Sequence, residues 1–330
     1  MNLSLVIPVY NEENNLLDLY HAIHETMDSI KYQWKITFVD DCSTDGSLAV
    51  LKELAQKDSR HVQIIVFRRN YGQTAAIAAG IDHSDGDIVI LMDADMQNDP
   101  ADIPIMLEKL NEGYDLVSGW RKDRKDPYLS RILPSRIANG LISWVTGVHL
   151  HDYGCTLKTY RREVLSGFRL YGEMHRFIPA YAVASGARVA EVVVRHHPRK
   201  YGKSKYGLER TLKVLLDLFT VKFLLSFSVS PIYIFGGVGI GMIFISLITL
   251  LFLAIRKIFF STSVLGSPFF QLGVMVFALG FQTILMGLIA ELLMRTYHET
   301  LDKPTYTIRE VINEKPKVRT HPKIKEKVAF

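Results

Sequence analysis

Cysteine is scarce in this chain of 330 residues, which contains only Cys42 and Cys155. Two cysteines are too few for a disulfide framework, so the sequence does not predict a small disulfide-rich secreted domain, and reduced thiols in the cytoplasm are expected. A basic stretch leading into an apolar run is also missing at the N-terminus, where Met1 precedes the strand-like run 3–9 directly. No secretory signal peptide is therefore expected.

Charge is nearly missing from two long stretches in the C-terminal third. Residues 229–255 contain no charged side chain, and residues 268–294 contain only Glu291. Each stretch is longer than the roughly 20 apolar residues that cross a bilayer, so we expect two transmembrane helices within 229–295. The segments outside the pair hold more Lys and Arg than the loop between them, which favours a cytoplasmic N-terminal domain and two cytoplasmic termini.

Strand-like and helix-like segments alternate through residues 1–205, where apolar and charged residues are mixed. The strand-like segments are 3–9, 35–39, 62–67, 86–92 and 114–118. Such alternation predicts an α/β domain with a mostly parallel sheet covered by helices. The segment 206–228 has the apolar spacing of an amphipathic interfacial helix, and the basic segment 296–330 is predicted to form a cytoplasmic tail.

The most informative segment is 86–97, in which a short apolar run ends in two carboxylates, Asp93 and Asp95. Ligands of open α/β sheets bind at the carboxyl ends of the strands. The oxygens of Asp93, Asp95 and Gln97 are hard donors of the kind that hold Mg²⁺ or Mn²⁺. The pattern predicts a site for a metal and a diphosphate at this strand end. An acidic surface loop without a ligand is the alternative.

Polar or glycine-containing segments also follow the other early strands, at 11–12, 40–41 and 69–72. Because the carboxyl ends of parallel strands meet at one edge of a sheet, these segments are expected to share a crevice with Asp93 and Asp95.

The net charge of +5 is concentrated in three stretches, 121–136, 195–213 and the segment after 309. An anionic membrane surface or a phosphorylated substrate would attract such stretches, and nucleic acid is a competing interpretation. Because nucleic-acid binding leaves the two apolar stretches unexplained, we expect no nucleic-acid partner.

Four ordered motifs resemble membrane-anchored family 2 glycosyltransferases of the GT-A fold, specifically the polyprenyl-phosphate glycosyltransferases. The motifs are VIPVYNEE at 6–13, FVDDCSTDG at 38–46, RNYG at 69–72 and DADMQ at 93–97. Dolichol-phosphate mannose synthase belongs to this group. The paired apolar stretches and the segment 295–306 extend the similarity toward the bacterial undecaprenyl-phosphate glucosyltransferases of O-antigen glucosylation.

The resemblance implies a metal-dependent, inverting transferase that moves a hexose to undecaprenyl or another polyprenyl phosphate. It implies a Rossmann-like GT-A domain, UDP-glucose as the donor, and a place at the cytoplasmic face of the inner membrane. Such an acceptor phosphate is already a nucleophile, so the reaction needs cations to draw it in rather than a strong base.

The resemblance also implies roles for individual residues. Contacts to the donor nucleotide are implied for Pro8, Tyr10, Asn11, Glu12, Asp40, Asp41, Asn70, Gly72, Asp93 and Ala94. The Mg²⁺ or Mn²⁺ ion is expected on Asp95 and Gln97, with Asp93 as a further ligand. Contacts to the acceptor phosphate are implied for Arg121, Arg131, Ser135 and Arg199, and a loop over the donor diphosphate for Gly202, Ser204 and Lys205. The implied catalytic residues are Asp95, Asp152 and Arg199.

Other donors and other classes of function stay open at this stage. GDP-mannose, UDP-aminoarabinose and an N-acetylhexosamine donor fit the same motifs. A processive polysaccharide synthase is disfavoured because a Gln-x-x-Arg-Trp motif is absent and two spans are too few for a channel. A non-catalytic membrane scaffold would have lost the metal ligands, which are present here, and two spans without intramembrane polar pairs argue against a transporter. The glycines of the two spans suggest a homo-oligomer.

Overall fold

The computed structural model describes residues 1–123, 133–165, 170, 174–198, 232–260, 267–299 and 306–313. The chain divides into two compact units. The first comprises Met1–Thr211 with Thr305–Phe330, and the second comprises Leu212–Pro304. The predicted interfacial helix at 206–228 lies outside the described residues, so it stays a prediction.

An eight-stranded mixed sheet forms the centre of the first unit. Its strands are β1 (Asn2–Val9), β2 (Gln33–Asp40), β3 (Val62–Phe67), β4 (Ile88–Leu91), β5 (Leu116–Trp120), β6 (Lys158–Arg161), β7 (Val189–Val193) and β8 (Ile308–Ile312). They lie in the order β7-β5-β6-β4-β1-β2-β3-β8. The pairs β1–β2, β1–β4, β2–β3 and β5–β7 are parallel, whereas β6 and β8 run antiparallel to their neighbours. The predicted α/β class is confirmed.

Helices between the strands supply the rest of the core. They are α1 (Glu13–Asp28), α2 (Ser47–Lys57), α3 (Gln73–Asp82), α4 (Ile103–Asn111), α5 (Leu133–Thr146) and α6 (Ile178–Ala184). In α1, the buried side chains of Leu16, Leu19 and Ile23 recur at helical spacing and form one apolar face. All six residues of β3 are buried, as expected for a strand covered on both faces of the sheet.

Strands β6, β7 and β8 lie outside the strand-like segments that the sequence predicts. β6 has the sequence KTYR and pairs antiparallel with both β4 and β5. A strand of four residues with two cationic side chains has neither a continuous apolar run nor a clear alternation. Its place in the sheet is decided by its tertiary neighbours.

The edge strand β8 lies within the segment 296–330 that was predicted to be a tail, and Ile308–Ile312 pairs antiparallel with β3. The neighbouring Tyr306 is buried, and its ring stacks on Phe67 with 5.3 Å between ring centroids. Its hydroxyl donates a hydrogen bond of 2.8 Å to Asp82. Residues 306–313 therefore belong to the globular first unit.

The second unit contains two long apolar helices, α7 (Ile232–Phe260) and α8 (Pro268–Glu299). Their segments Phe235–Phe259 and Pro268–Ala290 have mean hydropathies of 2.7 and 2.1, and only 17% of each is buried. Helices of this length and composition are long enough to cross a bilayer, and their apolar side chains face outward rather than into a protein core. The prediction of two apolar C-terminal helices is confirmed.

Glycines bring α7 and α8 into close contact. A Cβ atom on Gly239 would lie 2.6 Å from the carbonyl oxygen of Gly280, and a Cβ on Gly280 would lie 2.8 Å from that of Gly239. The Ser246 hydroxyl adds a hydrogen bond of 2.7 Å to the Gly273 carbonyl. These small residues serve a contact within the chain. The homo-oligomer suggested by the glycines stays a prediction.

Candidate active site

Hydrogen bonds join the turn after β1 to the turn after β2. The Asn11 N–H donates to the Ser43 hydroxyl at 3.0 Å, and the Asn11 side-chain oxygen accepts from the Thr44 N–H at 2.7 Å. The Glu12 N–H donates to the Ser47 hydroxyl at 2.9 Å. Asn11 therefore joins the two turns through both its backbone and its side chain, and its contact to the donor nucleotide stays a prediction.

A second set of hydrogen bonds extends the crevice to the ends of β3 and β4. The Asp41 carboxylate accepts from the N–H groups of Tyr71 at 2.6 Å and Gly72 at 2.8 Å. The Gln73 amide donates to Asp93 Oδ1 at 2.7 Å. The four strand-end segments lie at one crevice, as the strand pattern predicted.

Burial raises the pKa of the Asp40 and Asp41 carboxyl groups. Hydrogen bonds from Ser43 to Asp40, and from Tyr71 and Gly72 to Asp41, oppose this rise. Both carboxylates thus stabilise neighbouring turns, and a direct role in binding the nucleotide stays a prediction for each.

Non-glycine residues in the left-handed backbone region follow four of the strands: three lie at the crevice, and the fourth is Asn313 after β8, with a φ angle of 59°. Asn11, Cys42 and Met96 have φ angles of 52°, 61° and 59°. They follow β1, β2 and β4, so all three stand at the crevice. Residues other than glycine rarely adopt this conformation, and such conformations cluster at functional sites. This is an independent structural indication of a binding site.

The carboxylates after β4 form the candidate metal centre. Asp95 is only 7% exposed, and its Oδ1 accepts from the Gln97 N–H at 3.2 Å. The Gln97 side-chain nitrogen lies 3.4 Å from His196 Nε2. Asp93 and Asp95 offer carboxylate oxygens on one short turn, a donor set that suits Mg²⁺ or Mn²⁺. His196 is a site neighbour that the sequence motifs do not mark.

Arg121 and Asp152 form a buried bidentate ion pair, with N–O distances of 2.7 and 3.0 Å. Their side chains are 13% and 4% exposed. Burial lowers the pKa of Arg121, but the adjacent Asp152 carboxylate outweighs it, so the guanidinium pKa is raised overall. The predicted acceptor-phosphate residue and the predicted catalytic carboxylate are thus direct partners.

Further cations lie beside this pair. The ammonium group of the buried Lys158 donates to the carbonyl of Tyr153 at 3.2 Å and to the carbonyl of Cys155. Burial lowers the pKa of Lys158. A Cβ on Gly154 would lie 3.4 Å from Arg176 Nη1 and 3.3 Å from a nitrogen of Arg121. Sequence reasoning missed Lys158 and Arg176 because no motif marks them; a buried lysine on a short strand becomes informative only in the fold.

The remaining predicted residues have different outcomes. Pro8 and Tyr10 are partly exposed at the end of β1, Asn70 is exposed, Ala94 is buried, and Ser135 lies partly exposed in the first turn of α5. The predictions for Arg131, Arg199, Gly202, Ser204 and Lys205 fall outside the described residues. They stay predictions.

Comparison with known proteins defines the family. The family model of "Glycosyl transferase family 2" matches residues 4–168. The chain is 40% identical over 317 residues to a dodecaprenyl-phosphate galacturonate synthase of Rhizobium johnstonii, covering 95% of this chain and 94% of the relative. It is 38% identical over 311 residues to an undecaprenyl-phosphate 4-deoxy-4-formamido-L-arabinose transferase of Edwardsiella ictaluri, with 94% coverage of both. The chain belongs to glycosyl transferase family 2, and it is a glycosyltransferase.

Solved structures support the GT-A fold. The glucosyl-3-phosphoglycerate synthase of Mycobacterium tuberculosis, solved with Mn²⁺, UDP and phosphoglyceric acid, matches with a TM-score of 0.50 and 18% identity, over 66% of this chain and 78% of that chain. The mannosyl-3-phosphoglycerate synthase of Rubrobacter xylanophilus matches with a TM-score of 0.50 and 16% identity, over 68% and 74%. At these identities the likeness establishes the fold alone.

Proposed function

We propose that this glycosyltransferase moves a sugar from a UDP-sugar to a polyprenyl phosphate and forms a polyprenyl-phosphate sugar. The observation that carries the proposal is the similarity to two polyprenyl-phosphate sugar enzymes over 94–95% of the chain, apolar helices included. A transferase domain joined to two long apolar helices suits one water-soluble substrate and one lipid substrate.

The proposed reaction is a single displacement. An anionic oxygen of the acceptor phosphate forms a bond to C1 of the sugar. The bond from C1 to the donor's diphosphate oxygen breaks, and its electron pair leaves with UDP. No proton has to be removed from the acceptor, and attack opposite the leaving group inverts the anomeric configuration.

Several described residues fit parts of this displacement. Asp93, Asp95 and Gln97 would hold Mg²⁺ or Mn²⁺, and that ion would neutralise charge on the departing diphosphate. Arg121 provides a cation whose orientation is held by Asp152. Arginine suits phosphate because its planar donor groups match two oxygens at once.

The favoured sugar is galacturonate, with UDP-galacturonate as the donor. The relative at 40% identity is named for galacturonate. Arg176, whose Nη1 lies 3.4 Å from a Cβ atom on Gly154, is a cation that suits a sugar carboxylate. UDP-4-deoxy-4-formamido-L-arabinose is a second candidate because of the relative at 38% identity. UDP-glucose, the donor expected from the resemblance of the paired apolar spans to the glucosyltransferase branch, has no comparable support among these two relatives.

We place the protein in the inner membrane, with α7 and α8 as the two spans and with the transferase domain and both termini in the cytoplasm. The apolar surface of the two helices supports membrane insertion. In the first unit, Trp144 of α5 is 81% exposed, and an exposed tryptophan suits the membrane–water interface.

The test is a donor panel with the purified full chain, undecaprenyl phosphate and Mg²⁺ or Mn²⁺. The panel contains UDP-galacturonate, UDP-4-deoxy-4-formamido-L-arabinose, UDP-glucose, UDP-N-acetylglucosamine and GDP-mannose, and lipid-linked product is measured by mass spectrometry. We expect product with UDP-galacturonate and loss of product with EDTA. A higher rate with another donor would reject galacturonate, and absence of product from every donor would reject the transfer reaction.

The metal site is tested with Asp95→Asn. We expect turnover to fall by about 10²–10³-fold or more because the leaving diphosphate loses its counter-charge. Glu53→Gln, which changes an exposed carboxylate on α2, is the matched control and should keep its activity. Unchanged turnover in a folded Asp95→Asn protein would remove Asp95 from the proposed metal site.

A further inference from the structure

A second group of possible metal ligands lies at the opposite edge of the sheet from the crevice. It consists of His24 near the end of α1, Asp58 directly after α2, and His61 directly before β3. The crevice lies where the parallel strands end, whereas this group lies where they begin. Because a strand rises about 3.3 Å per residue, the eight residues of β2 separate the two edges by roughly 20 Å.

The three side chains converge on one point. His24 Nε2 lies 3.2 Å from Asp58 Oδ2, and His61 Nδ1 lies 3.0 Å from both Asp58 oxygens. One ligand atom from each of the three residues lies within 4.8 Å of the others. Zinc binds nitrogen and oxygen ligands at about 2.0–2.2 Å in a tetrahedron, which places neighbouring ligand atoms roughly 3.3–3.5 Å apart. The two nitrogen–oxygen separations need only small adjustments to reach this geometry, and the two imidazole nitrogens, within 4.8 Å of each other, must come to the same range.

The surroundings of His24 favour a cation at this point. Its Nδ1 lies 2.9 Å from Asp28 Oδ2, while its Nε2 faces Asp58. A neutral imidazole has one donor nitrogen and one acceptor nitrogen. If Nδ1–H donates to Asp28, then the lone pair of Nε2 points at the Asp58 carboxylate, and a cation between them satisfies both. A carboxylate behind a histidine is also the usual support of a histidine that binds zinc.

Aromatic rings hold the two imidazoles in place. The His61 ring stacks on Trp34 with 4.2 Å between ring centroids. The His24 ring makes T-shaped contacts with Trp34 and Tyr20, with centroid distances of 4.8 Å and 5.1 Å. The Tyr20 hydroxyl donates to Asp58 Oδ2 at 3.1 Å. The side chains of His24, Asp58 and His61 are 29%, 13% and 22% exposed, so an ion can reach ligands that are already oriented.

We propose that His24, Asp58 and His61 form a second metal site, which binds a zinc-class divalent cation through His24 Nε2, His61 Nδ1 and one Asp58 oxygen. A water molecule completes the tetrahedron. The site differs in chemistry from the carboxylate centre at Asp95, because imidazole nitrogen favours zinc over magnesium. The ion joins the ends of α1 and α2 to the start of β3 and stabilises the transferase domain.

The experiment uses the purified full chain in detergent, stripped with a chelator and then dialysed against limiting ZnCl₂. Zinc per chain is measured by inductively coupled plasma mass spectrometry. We expect about one tightly bound zinc in the wild type, and a rise of several degrees in the midpoint of thermal unfolding on zinc addition. His24→Gln and His61→Gln should each lose the zinc and the thermal shift.

Two controls separate this site from others. His21→Gln changes an exposed histidine on the same helix and should keep the zinc. Asp95→Asn should keep it as well, because that carboxylate belongs to the crevice; loss of zinc there would assign the ion to the crevice and overturn the proposal. If His61→Gln does not fold, zinc binding by His24→Gln tests the proposal, because the His24 side chain is partly exposed on α1.

A second readout is the visible spectrum of the protein loaded with Co²⁺, which reports tetrahedral nitrogen and oxygen ligands. We expect d–d bands in the wild type and in His21→Gln, and their loss in His24→Gln. A wild type that binds no zinc, or a His24→Gln protein that binds zinc as the wild type does, would overturn the proposal.

Discussion

Buried charges dominate the crevice at the scale of single residues. Arg121, Asp152 and Lys158 are removed from water, and each has a charged or carbonyl partner close by. A buried ion is costly unless hydrogen bonds and an opposite charge compensate for the lost hydration. The arrangement is therefore sensitive to the loss of one partner, because the other charge remains.

We predict that Asp152→Ala destabilises the transferase domain by about 3–5 kcal/mol, because the Arg121 guanidinium is left buried without its counter-charge. Chemical unfolding followed by tryptophan fluorescence measures the change. Asp123 is an exposed carboxylate two residues after Arg121, and the free energy of unfolding of Asp123→Ala should stay within about 0.5 kcal/mol of the wild type. The double variant Arg121→Met with Asp152→Leu should lose less stability than the sum of the single variants. Equal effects of Asp152→Ala and Asp123→Ala would contradict the prediction.

Cys155 is predicted to be chemically inert in the folded protein. Burial raises the pKa of its thiol to about 11, so only about 0.1% is thiolate at pH 8, and the sulfur is also shielded from reagents. Iodoacetamide at pH 8 should leave Cys155 unmodified in the folded chain and alkylate it after denaturation, as measured by peptide mass spectrometry. The partly exposed Cys42 is the internal comparison. Rapid alkylation of Cys155 in the folded protein would show that its environment is more open.

At the scale of secondary-structure elements, the predictable part of the fold is the part with a regular apolar pattern. The first four strands contain apolar runs, and the structure has strands at the four predicted places. β6 and β8 lack such a pattern: β6 carries Lys158 and Arg161, and β8 has the sequence IREVI. Their strand conformation results from pairing with β4, β5 and β3, which are distant in sequence.

The contact between α7 and α8 yields a prediction at this scale. Gly239→Leu should separate the two helices, because a side chain at this position meets the backbone of Gly280. We expect a lower midpoint of thermal aggregation in detergent and a lower yield of monodisperse protein. Gly237→Leu is the matched control, because a Cβ there has no heavy atom within 4 Å among the described residues. If both variants behave alike, the close contact does not stabilise the helix pair.

The whole molecule combines an α/β unit with a pair of long helices whose apolar side chains are mostly exposed. The first unit buries its apolar side chains around one sheet, whereas most apolar side chains of α7 and α8 are exposed. Exposed apolar surface on this scale is unfavourable in water and favourable in a bilayer. The family 2 match at residues 4–168 lies within the first unit, and membrane residence through the second unit stays part of the proposed function.

The proposed topology predicts different labelling of two variants that each carry one introduced cysteine. Both are built on Cys42→Ser, and the remaining Cys155 is buried. A membrane-impermeant maleimide added to cells with a permeabilised outer membrane should label Ser263→Cys in the loop between the spans. It should label Thr320→Cys near the C-terminus only after lysis. Polyethylene-glycol maleimide is then added to the denatured protein, and an introduced cysteine that the first reagent has blocked gives no shift in gel mobility. Labelling of Thr320→Cys in unlysed cells would reverse the proposed orientation.

The sequence by itself determined the α/β class, the two apolar helices and the convergence of the first four strand ends. These features follow from local patterns: apolar periodicity, charge depletion over a bilayer's thickness, and motifs such as 93–97 that directly follow a strand. Only the tertiary structure decided that Arg121 pairs with Asp152, that Lys158 is buried beside them, and that residues 308–312 close one edge of the sheet. These contacts join segments that are far apart in the chain, and a local sequence pattern does not show which distant segments come together.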